Sequence, residues 1–449
     1  MRRKTFLTSG LSAAAAVSVP GLTSSITNVL AREASAKTTI SWWGWGDPPV
    51  NSAVTGLPNQ HNSPNDAVKV FYEKSHPGVT IDTTVYNYPD YVTALKTSFA
   101  GGNAPDTVEL EPGPLVSKYA SYMQPLDGLA AKRWGPNWKD QFYPLAISQT
   151  LAADPLHKSM FALPVGLECG TGLYYNTAIF SKYNLKPPQS YAELKAIADI
   201  LNGHGIIPIS WGAKDGWPNF DWLRMLVEQT APGVWDSALQ GKAKFTHPGF
   251  VQALQILVRM QKDRIFSSSI WGTTAYPEAI TLFQSGKAAM YNSGTWDLAG
   301  FAAPTTKIRN TLGVMPLPPM GQGLQKGRLW ATTNMMTSIS KSAKNVQAAF
   351  DFIAWQADAG QKASWVDKSG FLPSRKGMAP QPQPNAHYQA IEAYFLKEIS
   401  HAVVRYGAQL TADLQKATED AIANVSTLGM DPLRALNAVQ AAHDKSVKR

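Results

Sequence analysis

From Thr39 to Leu110 the apolar pattern switches repeatedly between the two-residue period of a strand and the 3.6-residue period of a helix. That alternation restricts the chain to folds built on a parallel sheet covered by helices. Thr39-Ile40-Ser41-Trp42-Trp43 reads as a strand, and Ser63-Pro64 opens a helix whose apolar face, Ala67, Val70 and Phe71, runs out at Pro77-Gly78. Val79, Ile81, Thr83 and Val85 alternate as a half-buried strand. Val92, Leu95 and Phe99 mark a second helix closed by Gly101-Gly102, and Thr107 to Leu110 resume as strand. The order is βαβαβ, whose crossovers favour parallel pairing.

The same order returns after Pro164. Leu173-Tyr174-Tyr175 is strand-like, Ser190 and Glu193 form a capping box ahead of Leu194, Ile197 and Leu201, and Ile206 to Ser210 form the next strand. Leu312 to Met315 and Met335 to Ile339 are further strands, and Gly286 with Lys287 end a helix and feed an expected edge strand. From about Asp358 the pattern is chiefly helical, with Asp431-Pro432 opening the last helix. A chain of 449 residues with two such α/β units exceeds the size of one ordinary core and is expected to form two lobes.

The first residues are set apart from both units. Arg2-Arg3-Lys4 precedes the apolar, alanine-rich run Leu11 to Leu22, and Ala34-Ser35-Ala36 follows as a cleavage tripeptide. Residues 1–36 are therefore expected to be a secretory signal, of twin-arginine type, cleaved after Ala36. No later stretch reaches the roughly 20 apolar residues of a membrane helix. The single cysteine, Cys169, lies far from the cleavage point, which excludes a lipid anchor there and any internal disulfide. A soluble periplasmic protein fits these features. The formal charge of +9 comes without a long Lys/Arg run, so no nucleic-acid partner is expected.

Short landmarks then appear in a fixed order. They are Phe99-Ala-Gly-Gly-Asn-Ala-Pro-Asp106, Pro164-Val-Gly followed by Leu173-Tyr-Tyr-Asn176, and Lys186-Pro-Pro-Gln-Ser-Tyr-Ala-Glu-Leu194. Phe283-Gln-Ser-Gly-Lys-Ala-Ala-Met290 leads to Gly294-Thr-Trp296, and Gly370-Phe-Leu-Pro-Ser-Arg375 closes the series. In these features the chain resembles the bacterial extracellular solute-binding proteins of ABC importers, the family that includes maltose-binding protein. The resemblance implies a two-lobed periplasmic-binding-protein fold of the α/β class, each lobe a sheet covered by helices, with a ligand cleft and hinge between the lobes. It implies lobe one from residues 37–162 plus 312–357, and lobe two from 163–311 plus 358–449, with crossings near 162, 312 and 358. It further implies capture of a sugar or oligosaccharide by lobe closure, delivery to membrane permease subunits, a monomeric state and no catalysis.

A sugar offers hydroxyls to planar polar groups and C–H faces to aromatic rings, so its site needs both kinds of residue. In open α/β sheets such sites gather at strand carboxyl ends. The sequence carries fourteen tryptophans, and several stand with acids at those ends. Trp43 and Asp47 stand at or right after the end of the first strand, and Glu111 stands at the end of the strand after Asp106. Trp211, Asp215, Trp217, Phe220 and Trp222 follow Ile206 to Ser210, and Trp296 with Asp297 follow Met290 to Ser293. The ligand-binding candidates are Trp43, Asp47, Glu111, Asp215, Trp217, Trp296, Asp297, Asn334 and Arg375, the last for its planar fork. Trp330 and Tyr276 stand beside them. Gly321-Gln-Gly-Leu324 matches the family's position for a β-hairpin, and the Pro- and Gly-containing loop from Asp47 to Asn62 lengthens one cleft wall.

Two other classes compete. A secreted glycoside hydrolase shares aromatic clefts, but no acid pair here sits in a catalytic signature and no Gly-x-Ser-x-Gly elbow occurs. The same fold could instead take a polyamine, ferric ion or phosphate ester. The histidines are scattered without metal spacing, and adjacent Tyr174 and Tyr175 point to opposite faces of a strand, so neither a metal nor another cofactor is expected.

Overall fold

The computed structural model describes residues 37–45, 64–86, 88–151, 159–170, 173–302, 306–333, 336–358, 372–377, 386–405 and 410–447. The expected export signal with its cleavage point at Ala36 lies outside the described residues, as do Asp47, its loop to Asn62, Asn334 and Gly370-Phe371. Among the described residues no helix is long and apolar enough to cross a membrane. In chain order the strands are β1 (Thr38–Trp45), β2 (Val79–Tyr86), β3 (Thr107–Leu110), β4 (Ala162–Leu163), β5 (Glu168–Gly170) and β6 (Leu173–Asn176). They continue as β7 (Ile207–Ser210), β8 (Ala288–Tyr291), β9 (Leu312–Met315), β10 (Trp330–Thr332), β11 (Met336–Ile339) and β12 (Val403–Val404).

The first lobe is built on a sheet of order β2-β1-β3-β11-β4, with β1 parallel to β2 and β3 as the crossovers require. Ile40 and Trp42 of β1 enter a cluster with Tyr72 of the helix Pro64–Ser75 and Phe352 of the helix Val346–Asp358. Trp43 and Trp45 pack instead against the cluster of Tyr91, Leu95 and Val108. Both faces of β1 are thus covered, which is why its sequence is aromatic at successive positions. Asp106 serves this frame: its Oδ2 accepts the Ser41 N–H at 2.9 Å and its Oδ1 the Lys344 N–H at 2.9 Å.

The second lobe is built on a sheet of order β7-β8-β6-β9. Tyr174 lies in a cluster with Phe283, Phe301 and Phe395, whereas Tyr175 packs against the other cluster, beside Phe180. The period-two alternation of a strand places them on opposite faces. The capping box forms with the Ser190 hydroxyl accepting the Glu193 N–H at 3.2 Å. Gly286 closes its helix at φ 75°, but β8 beyond it pairs on both sides, with β7 and β6, and is an inner strand rather than an edge.

A third sheet, β12-β10-β5, joins the lobes. Two of its strands lie where the chain passes between lobes, β5 linking β4 to β6 and β10 linking β9 to β11, whereas β12 lies between the helices Ala386–Glu398 and Ala412–Leu428, both packed on lobe two. The expected return to lobe one near residue 312 is corrected here. Strand β9 pairs antiparallel with β6, so the chain stays in lobe two until β10. The pairing is sterically specified: Gly313 faces Tyr175 across the strands, and a Cβ there would stand 2.5 Å from the Tyr175 ring. The Gly321–Leu324 segment makes no hairpin, because β9 and β10 belong to different sheets.

Candidate functional site

The helix Trp217–Thr230 begins at Gly216, whose φ of 79° turns the chain off β7, and Pro218 occupies its first turn. This turn presents Trp217, half-buried, to Tyr276, whose ring lies 6.1 Å away and tilted only 18°. Trp296 meets Trp217 edge-on at 6.1 Å and stacks on buried Trp330 at 5.5 Å with 21° between planes. Four aromatic rings from distant segments form one continuous platform. A polar relay fixes it from beneath: the Trp296 Nε1–H donates to the Tyr276 hydroxyl at 2.6 Å, and that hydroxyl donates to Asp297 Oδ1 at 2.9 Å. The Ser293 hydroxyl donates to the same buried carboxylate.

Two glycines create room for the stack. Gly170 of β5 and Gly294 bridge one another, and a Cβ on Gly170 would lie 2.0 Å from Trp330 Cε2, one on Gly294 1.9 Å from Trp296 Cζ3. Both distances are far inside van der Waals contact.

Arg405, directly after β12, sits among the indoles. Its guanidinium carbon is 4.4 Å from the Trp330 ring, 5.6 Å from Trp217 and 5.8 Å from Trp296, and its Nε and Nη2 donate to Asp221 at 2.7 and 2.9 Å. Burial pushes the Asp221 carboxyl up to about 6 despite the arginine, and Glu111 adds to the rise. Glu419, on the helix Ala412–Leu428, is pushed up to about 7, chiefly by burial, opposed by its hydrogen bond from Gln415 and by Lys416, with Glu111 again adding. Glu111 belongs to lobe one, and Asp221 and Glu419 to lobe two. The charge of a lobe-one acid thus adds to the rise of two lobe-two carboxyls.

Because Glu419 is raised above the ordinary carboxylate value, its charge costs stability only where the folded protein must ionise it. The penalty is absent below about pH 4.5, grows as pH rises and is complete above about 7. Glu419→Gln is expected to raise stability by about 2 kcal/mol at pH 8, allowing for partial exposure, and to change nothing at pH 4. Thermal unfolding at the two pH values measures this.

The remaining candidates fall in separate places. Trp43 packs edge-on to Tyr86 at 5.3 Å within lobe one, outside the platform. Asp215 is exposed and accepts the Ala275 N–H at 2.8 Å, a backbone clasp beside Tyr276. Arg375 makes its contacts away from the platform: it pairs with Asp358 and lies over Trp134 and Phe142 at 5.5 and 5.7 Å, in lobe one. Trp211, Phe220 and Trp222 are core. Cys169 is buried, its thiol pushed far up by burial and by Glu168, so it remains a thiol. Among the described residues no group of three or more His, Cys, Asp or Glu could hold a metal. Sequence reasoning missed Arg405, Asp221 and Glu419. Asp221 had one available signal, its position one turn after Trp217.

Two α/β lobes on separate sheets, a small third sheet joining them and an aromatic platform beside it define a two-lobed binding protein. Residues 59–363, more than half of the chain, match the family model of the bacterial extracellular solute-binding proteins, and the chain belongs to that family. It is 21% identical over 318 residues to the multiple sugar-binding protein of Streptococcus mutans, covering 68% of this chain and 71% of that one. It is 23% identical over 373 residues to the sn-glycerol-3-phosphate-binding periplasmic protein of Pectobacterium atrosepticum, covering 79% and 78%. Maltose-bound MalE3 of T. maritima shares the fold with a TM-score of 0.75 at 17% identity, over 91% of this chain and 99% of that one.

Proposed function

We propose that this chain is the substrate-binding component of an ABC importer, capturing a neutral sugar or oligosaccharide by lobe closure and releasing it unaltered to membrane permease subunits. The observation that carries the reading is the platform of Trp217, Tyr276, Trp296 and Trp330 flanked by carboxylates, the pairing of apolar faces and acceptors that a sugar requires. Related proteins carry sugars in one case and a phosphate ester in another, and charge discriminates between them here. A phosphate would face Glu111, Asp221 and Glu419, while Arg405 is already forked onto Asp221. A polyamine is disfavoured for the opposite reason, since Arg405 already lies near three of the indoles. Cleavage of residues 1–36 after Ala36, export by the twin-arginine route to the periplasm and action as a monomer complete the reading.

Thermal shift and calorimetry with maltotriose, xylotriose, chitotriose, sn-glycerol 3-phosphate and spermidine test it. A sugar at a hundred times its Kd should stabilise the protein by ~2.7 kcal/mol and be recovered intact. Stabilisation by the phosphate or the amine alone would overturn the reading, and a cleaved sugar would replace the carrier with an enzyme. Trp217→Ala is expected to weaken sugar binding by ~1–3 kcal/mol with folding retained, measured by calorimetry.

A further inference from the structure

Trp217, Asp221, Arg224 and Glu228 follow one another at spacings of four, three and four along the helix Trp217–Thr230, a single stripe on its surface. The stripe begins at the aromatic platform and ends about 16 Å away by the helical rise. Every polar member of it is tied to the hinge. Asp221 holds Arg405, whose backbone N–H donates to Ala331 O of β10 at 3.0 Å. Arg224 Nε donates to Val404 O of β12 at 3.2 Å, and its Nη1 approaches Glu228 Oε2 at 3.3 Å. Glu228 Oε1 receives Arg328 Nη1 at 2.9 Å.

Arg328 closes the arrangement. It lies two residues before β10, and its Nε and Nη2 donate to His401 O at 3.1 and 2.6 Å, two residues before β12. One guanidinium therefore clamps the lead-ins to β10 and to its neighbour β12 onto the far end of the platform helix. Its side chain is 49% exposed, whereas that of Glu228 is 2% exposed, so the acid is locked and the arginine is the removable strap.

Lobe closure bends the strands shared by both lobes, and a strand fixed along one lobe bends only beyond its last fixed point. We propose that Arg328 is a positioning residue for ligand capture. It fixes the lobe-two end of β10, together with the lead-in to its neighbour β12, to the platform helix, so that hinge angle and platform position change together. It touches no ligand. This inference rests on the reading of the protein as a sugar receptor that closes.

The test uses the full-length mature protein carrying one fluorophore on each lobe. Interlobe distance is read by energy transfer without ligand, and association and dissociation rates by stopped flow with maltotriose, xylotriose and chitotriose. Arg328→Ala is expected to broaden the ligand-free distance distribution and raise the dissociation rate about five- to tenfold, with the association rate and the thermal midpoint nearly unchanged. Arg328→Lys retains the charge toward Glu228 and loses the fork onto His401, and should fall between Arg328→Ala and wild type. Unchanged distances and rates in both variants would overturn the inference, as would a rate change strictly proportional to lost stability. Failure of the wild type to bind any of the three sugars would instead refute the proposed function, while the ligand-free distances still decide the role of Arg328.

Discussion

Arg405→Met is expected to destabilise the protein by about 3–5 kcal/mol, the largest effect of any single side-chain truncation at the platform. The variant leaves Asp221 buried without its partner, and an uncompensated buried charge costs more than the intact pair contributes. The pH dependence follows from the direction of the Asp221 shift. Its folded value, about 6 in the wild type, is already above the ordinary carboxylate value, and losing the arginine raises it further. The cost of ionising it is thus complete above the folded value and vanishes below about pH 4, where the acid is neutral in both folded and unfolded chains. Unfolding measured at pH 5 and pH 8 should show the larger deficit at pH 8. Asp221→Asn placed in the Arg405→Met background should recover much of that deficit, and no recovery would mean that the arginine acts mainly through packing on the indoles.

Gly170→Ala is the second large effect. The new methyl would stand 2.0 Å from Trp330 Cε2 and 2.5 Å from Trp330 Nε1, a ring that is buried and packed against both Trp296 and Arg405. Trp330 has to move, and moving it separates the stack on which Trp296 lies. We expect a stability loss of about 3 kcal/mol, at the upper end for overpacking, and sugar affinity reduced at least tenfold. Trp330→Leu in the Gly170→Ala background removes the clash. Recovery of the thermal midpoint without recovery of affinity would separate the space Gly170 provides from the support Trp330 gives Trp296.

The fold was legible in the sequence wherever local pattern decides structure. Val79 to Val85 alternate, Ser190 and Glu193 cap, Gly101 and Gly102 stop a helix, and each of these is a short-range preference that packing reinforces. The sheet joined by Leu312 to Met315 was not legible, because strand identity is local whereas the available edge, beside Tyr175, is assembled from residues far away in the chain. The site divides in the same way. Trp217 and Trp296 follow strand ends, so their neighbourhood could be inferred from order alone. Arg405 stands in a segment without period or motif, and its role exists only because β12 pairs with β10. Asp221 inside a helical pattern reads as a surface acid until Arg405 is placed opposite it. Arg375 shows the converse: a planar fork in a landmark motif, engaged in tying Asp358 to the lobe-one aromatics.

The helices Ala412–Leu428 and Pro432–Val447 carry a consequence for how the chain is made. Leu414, Ile422, Val425, Leu436 and Val439 fill the same core as Leu223 and Leu226 of the platform helix, although nearly half the polypeptide separates them. During synthesis the segment bearing Trp217 is soon packed by the helix Pro248–Lys262, but the part of its core that the last two helices cover stays open to water or to a chaperone until they emerge. Lobe one by then has β1 to β4 and lacks β11 and the helix Val346–Asp358. The two halves of the molecule therefore mature in sequence, and the ligand platform gains its full support only when the final helices have emerged.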